Sequence, residues 1–178
     1  FLEVKSSDYS DMLPVVKKEI QKNDSEYVVV HGDNNSTLVG ALSAQKYHKK
    51  LIHVEAGLRS FDRRMAEELT RVLVDHLSDV LIAPTELTSM FLEREEITQN
   101  KHVVGNTVVD ACLKYSEIAE RQSNILNKLD IVDKEFILAT VHRAENVDDV
   151  QKLSKLLQAL NLLEYPVVLP AHPRIKRR

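Results

Sequence analysis

The stretch YVVVHGDNNSTLVGALSAQKYHKKLIHVEAG, residues 27–57, decides the fold. It opens on a β-branched run, 27–30, that stops at His31-Gly32-Asp33. A helix-compatible segment follows over 37–48, and a second apolar run, 51–54, stops at Glu55-Ala56-Gly57. Both runs are short and apolar with little alternation, as expected of strands in a sheet covered by helices on both faces. Strand, helical crossover, strand is the unit of a parallel α/β sheet.

The same alternation extends outward in both directions. Residues 12–22 form a helical pattern with Leu13, Val16 and Ile20 on one stripe, and 65–78 another with Leu69, Val72, Leu73, His76 and Leu77. A third strand over 80–83 is stopped by Pro84, with Thr85 placed to cap a helix over 86–93. A fourth, 102–104, closes at Gly105-Asn106. Three of the four glycines follow strands, and Gly40 alone sits inside a predicted helix.

Beyond residue 108 the pattern loosens into a helix carrying Val109, Cys112 and Ile118, then a polar connector over 122–127. It restarts with a strand over 135–141, a periodic helix over 147–163 and a strand over 167–169. That helix has Val150, Leu153, Leu156, Leu157 and Leu160 on one stripe, with Asp148 and Asp149 in its first turn, where acid favours the helix dipole. Two Rossmann-like α/β domains are expected: residues 1–123, and a truncated second one over 134–178.

Composition narrows the function classes. The 178 residues are 43% hydrophobic and 29% charged, the signature of a chain with a core. A net charge of -3 supplies no basic field for nucleic acid, and no apolar run approaches a membrane span. A single cysteine, Cys112, excludes an internal disulfide and a cysteine-built zinc site. With no signal peptide at the start, a soluble cytoplasmic protein is expected, with neither nucleic acid nor membrane as partner. No dinucleotide-binding or Walker phosphate loop is present, and no cofactor or metal is expected.

In parallel α/β sheets, ligands bind beyond the carboxyl ends of the strands. The residues there are rich in titratable groups: His31, Asp33 and Asn34; Glu55 and Arg59; Thr85 and Glu86; Asn106; His142, Arg143 and Glu145; His172 and Arg174. So many carboxylates suggest proton chemistry beside a phosphate. Each residue also has a plainer reading. Asp33 fits a helix cap, Glu55 an exposed pair with Arg59, and Glu67 with Arg71 a solvated i, i+4 pair. Glu68 reads as solvated, His142 as a hydrogen-bonded residue at a strand end, and His53 and His76 as satisfied core histidines. Cys112 reads as a small core residue, and the tail Arg174 to Arg178 as solvated charge.

Taken together the strings are more specific than any one residue. His31-Gly32-Asp33, HVEAGLRSF (53–61), MAEELTR (65–71), APTE (83–86), VVGNTVVDA (103–111) and TVHRAEN (140–146) resemble, in this order, the non-hydrolysing UDP-N-acetylglucosamine 2-epimerases. The resemblance implies a GT-B fold, with UDP-sugar held between two Rossmann-like domains, and an isomerase that interconverts UDP-N-acetylglucosamine and UDP-N-acetylmannosamine. It implies acid/base work for Asp33, Glu55 and Glu67, and a role for His142 at the diphosphate. It further implies substrate contacts from His31, Arg59, Arg71, Asn106, Arg143, Glu145 and His172, and a homodimer with UDP-N-acetylglucosamine and UDP as ligands. A hydrolysing 2-epimerase and a catalytically silent UDP-sugar-binding subunit are the alternatives.

The sequence departs from the family pattern at Ala66, where a proline is usual, at Thr70 in place of asparagine, and at Asn34 in place of threonine. The family's Gly-Thr-Arg-Pro-Glu loop and its late serine and glutamate for phosphate and ribose have no counterpart here. A chain that carries proton-transfer groups without that nucleotide grip is expected to bind UDP weakly and turn over slowly or not at all.

Overall fold

The computed structural model describes residues 8–132 and 134–176, together with residues 2, 4 and 6. The side chains of Arg174, Lys176, Arg177 and Arg178, expected to be solvated, lie outside the described residues. The chain divides into two compact units, residues 1–115 and 116–178.

The first unit runs α1 (Tyr9–Lys22), β1 (Tyr27–His31), α2 (Asn35–Lys46), β2 (Lys50–Val54), α3 (Ala66–Leu77), β3 (Val80–Ala83), α4 (Glu86–Arg94) and β4 (Lys101–Val103); α5 (Thr107–Gln122) crosses the division. The four strands are parallel and lie side by side in sequence order, with Val30 opposite His53 and His53 opposite Leu81. Right-handed crossovers in one direction across such a sheet carry α2, α3 and α4 to one face. On β1, β2 and β3 the burial alternates: Val30, Leu51, His53, Leu81 and Ala83 are buried, whereas Ile52, Val54, Val80 and Ile82 are half-buried and Val29 is 62% exposed.

Two apolar clusters hold the unit. Val30, Ala41, Ala44, Leu51 and Val74 join β1 and β2 to α2 and α3, and Ala56, Leu81 and Leu92 join the loop after β2 to β3 and α4. Small residues bring the layers close. A Cβ on Gly40 would stand 2.7 Å from Val30 Cγ1, so glycine inside α2 is what seats that helix on β1. Gly57, at φ +79°, is pressed against the Thr88 carbonyl at the start of α4, where a side chain would collide with backbone.

Thr85 caps α4 where the sequence places it, whereas α2 starts from Asn34. Thr85 and Thr88 form a reciprocal capping box at α4, and Asn34 accepts from the Ser36 and Thr37 amides to start α2. Three readings are corrected. Glu68 is buried rather than solvated, because the chain turn at 60–61 folds over it. His76 lies on the exposed side of α3, with its ring against the Val72 carbonyl. Cys112 is exposed on α5 rather than a core residue.

The second unit holds α6 (Ile125–Lys128), β5 (Ile137–Leu138), α7 (Ala144–Val147), α8 (Val150–Asn161), β6 (Val167–Val168) and α9 (Pro173–Lys176). β5 and β6 pair in parallel around α8, a strand–helix–strand unit again. Asp149 is the N-cap of α8, accepting from the Gln151 and Lys152 amides. Its buried apolar residues among those described are Ile131, Val147 and Leu153. No described helix is long and apolar enough to cross a membrane.

Candidate functional site

The carboxyl ends of β1 and β2 place their polar residues side by side. β1 ends at His31, and Gly32, at φ +74°, donates its amide to the Val54 carbonyl at the end of β2. Glu55 follows with φ +71°, a backbone conformation uncommon outside glycine and often found at functional loops. Its carboxylate stands over Gly32, 3.8 Å from where a Cβ would sit, and 3.7 Å from His31 Nε2. Asp33 is not a cap: Asn34 takes that place, and Asp33 Oδ2 instead accepts from Arg71 Nε at 2.9 Å and Nη2 at 2.5 Å.

Arg71 reaches Asp33 from α3, one turn beyond Glu67. Glu67 and Asp33 both line a cavity of about 860 Å³, with Asn34, Ser36, Thr70 and Met12 around them. Glu67 is exposed and makes no hydrogen bond or ion pair among the described residues, so the predicted i, i+4 pair with Arg71 does not form. The structure therefore brings Asp33, Glu67 and Arg71 together, with His31 and Glu55 against the same loop.

Arg59 is not brought there. Its guanidinium is 1% exposed and forked onto Glu95 at 2.7 Å for both bonds, with Nη1 on Asp75 Oδ2 at 2.7 Å. Burial alone would disfavour that charge, but the Glu95 bonds and the Asp75 charge outweigh it and raise the pKa above the ordinary arginine value. Asn106, after β4, accepts from the Val108 amide at the start of α5.

Sequence reasoning missed three acids here, Glu68, Asp75 and Glu95. Burial pushes the Glu68 pKa up, but the Ser60 and Phe61 amides, the Ser60 hydroxyl and the Arg59 charge pull it below the usual carboxylate range overall. One signal was available: Glu68 and Asp75 are seven residues apart, two turns of helix, and so share the buried stripe of α3.

In the second unit, His142 and His172 follow β5 and β6 with ring centroids 6.4 Å apart. Arg143 and Glu145 are exposed and 3.9 Å from each other. Among the described residues no cluster of histidine, cysteine and acid side chains could hold a metal ion. Two adjacent imidazoles and an exposed guanidinium suit an anion, and the first unit's carboxylates suit proton transfer.

Residues 4–178 match the family described as UDP-N-acetylglucosamine 2-epimerase. The UDP-N-acetylglucosamine 2-epimerase of Methanocaldococcus jannaschii is 44% identical over 175 residues, which is 94% of this chain and 48% of that protein. The UDP-2,3-diacetamido-2,3-dideoxy-D-glucuronate 2-epimerase of Pseudomonas aeruginosa is 42% identical over 171 residues, 93% of this chain and 47% of that one. A crystal structure of the Methanocaldococcus jannaschii UDP-GlcNAc 2-epimerase in complex with UDP-GlcNAc and UDP superposes with a TM-score of 0.85 at 42% identity, over 95% of this chain and 48% of the other. That likeness agrees with the expected α/β, GT-B type fold class. The chain spans about half the length of the curated relatives it matches.

Proposed function

This chain belongs to the UDP-N-acetylglucosamine 2-epimerase family, and from that premise we propose that it carries the proton-transfer groups of a UDP-N-acetylglucosamine 2-epimerase. The observation that supports this best is the placing of Asp33 and Glu67 on one cavity, with Glu55 over the adjoining glycine. In this reading residues 1–123 and 134–178 belong to two Rossmann-like domains, and the protein is a cytoplasmic homodimer.

The chemistry explains why several carboxylates are needed. The C2–H bond of the sugar is barely acidic until the C1–O bond to the diphosphate breaks and its electron pair leaves with UDP. C2 then gives its proton to one carboxylate, and 2-acetamidoglucal remains beside UDP. Re-addition of UDP at C1, with a proton delivered to the opposite face of C2, inverts that centre. Acid/base groups are required on two sides of the ring, and Asp33, Glu55 and Glu67 are assigned that work. His142, with Arg143 and His172, meets the charge that develops on the departing diphosphate. His31, Arg71, Asn106 and Glu145 are assigned to substrate contacts. Arg59, ion-paired inside the fold, contributes by shaping the loop after β2.

Proton NMR of UDP-N-acetylglucosamine in heavy water with this chain tests the reading. Loss of the C2 proton signal with UDP still attached supports it. Free N-acetylmannosamine points to hydrolysing chemistry, and binding without exchange to a silent binder. The similarity to the diacetamidoglucuronate 2-epimerase favours a second substrate, and faster C2 exchange on that sugar nucleotide would identify it.

A further inference from the structure

We propose that His53 is a positioning residue: its ring ties the loop that carries Asp33 to the loop that follows Glu55, so that both candidate acid/base groups are held by one side chain. His53 is the fourth of the five residues of β2 and is fully buried. Its two ring nitrogens are both engaged. Nε2 is 2.9 Å from the Gly32 carbonyl oxygen, and Nδ1 is 2.6 Å from Asp75 Oδ1.

The partners fix how the ring is used. A carbonyl oxygen only accepts, so Nε2 carries a proton and donates to Gly32. Asp75 Oδ2 accepts from the Gly57 amide at 3.1 Å and from Arg59 Nη1 at 2.7 Å, so Oδ1 is the oxygen left to meet Nδ1. Nδ1 and Asp75 Oδ1 share the remaining hydrogen bond, at 2.6 Å. The side chains close a network inside the fold: His53 to Asp75, Asp75 to Arg59, and Arg59 to Glu95. Such a closed network is expensive to break and rigid while intact.

What the network holds is the argument for function. One arm ends on Gly32, the residue before Asp33 and the one over which Glu55 stands. The other ends, through Asp75, on Gly57, two residues after Glu55. Both loops depart from helical or extended geometry, with positive φ at Gly32, Glu55 and Gly57. Glycine adopts such a φ freely, but at Glu55 it persists only where the surroundings over-determine it. The clamp rests on this geometry alone; its effect on proton transfer rests on the function proposed above.

Two substitutions separate the arms. In His53→Gln the amide nitrogen falls near the Nε2 position and can still donate to Gly32; in His53→Asn it falls near Nδ1 and can still donate to Asp75. Amide hydrogen exchange in the full chain is the readout. The clamp predicts a crossed pattern: the Gly32 amide loses protection in His53→Asn and keeps it in His53→Gln, and the Gly57 amide does the reverse. In the C2-proton exchange assay, kcat falls up to about a hundredfold in either variant, with KM little changed, because each releases one of the two loops. Equal loss of protection at both glycines in both variants, tracking global stability, overturns the clamp. If neither variant folds, Nε2 of the unsubstituted protein decides by 15N NMR: an N–H signal there supports the clamp, and a bare Nε2 overturns it. A chain that shows the crossed pattern but no C2 exchange keeps the clamp and loses the proposed function.

Discussion

The strand-end loops of the two units are built on opposite principles. In the first unit the loops after β1 and β2 are tied down by buried polar side chains: Arg59, Asp75, His53 and Glu68 hold them from beneath, and Arg71 holds Asp33 from the side. In the second unit His142, Arg143 and Glu145 stand in solvent on short elements, and Arg143 and Glu145 meet only at 3.9 Å. Proton transfer gains from groups fixed before substrate arrives, whereas an anion-binding loop can be ordered by the anion itself. The contrast matches the division of labour proposed for the two sets of residues.

The largest effect that would break this contrast comes from Asp75. Asp75→Ala strips Arg59 of one of its two carboxylate partners and leaves His53 Nδ1 without one, and is expected to cost about 3–5 kcal/mol in urea unfolding. A loss under about 1 kcal/mol would mean that water or rearrangement takes over, and that the loops are not held as described. Glu68→Gln comes next, at about 1–3 kcal/mol, because its carboxylate accepts from the Ser60 and Phe61 amides. Its pH dependence has a fixed sign. The folded-state pKa is lowered, so the stabilisation is present above the unfolded carboxylate range and disappears as pH falls through the lowered folded value. Acid titration of stability should be flatter in Glu68→Gln than in the unsubstituted chain.

These two residues also mark where sequence reading stopped. The parallel order of the sheet, the capping Thr85 and the helix starts follow from local chemistry, so periodicity and turn residues expose them. Glu68 was read as solvated because an acid in the first turn of a helix usually is; only the fold of 58–61 over α3 buries it. Arg59 looked like a surface partner for Glu55, since sequence spacing cannot show that Glu95, thirty-six residues on, closes a fork around it. Asp33 and Arg71 are thirty-eight residues apart and meet only once the crossover is formed. The predicted pair of Glu67 with Arg71, one turn apart, gives way to that longer-range one, because the strand end brings Asp33 to the arginine.

Smaller substitutions sharpen the comparison rather than break it. Asn34→Ala and Asp149→Ala each remove an N-cap that accepts from two amides, one in each unit, and should cost about 1 kcal/mol apiece. Equal losses would show that the units differ in how they hold their loops and not in how they start their helices. Arg143→Ala is expected to change stability by less than about 0.5 kcal/mol, because no buried partner depends on it. Differential scanning fluorimetry with and without UDP would register it as a loss of ligand-induced stabilisation instead.

The exposed side of β1 has a consequence for handling the isolated chain. Among the described residues no strand pairs with the outer edge of Tyr27–His31, and Val29 faces outward beside it. An apolar, β-branched edge strand of this kind is a template for another strand. The net charge is only -3 and the isoelectric point lies near 6.2, so repulsion between copies vanishes slightly below neutral pH. Self-association should therefore rise steeply between pH 7 and that point, and colloidal behaviour, more than folding, sets the conditions under which this chain can be concentrated.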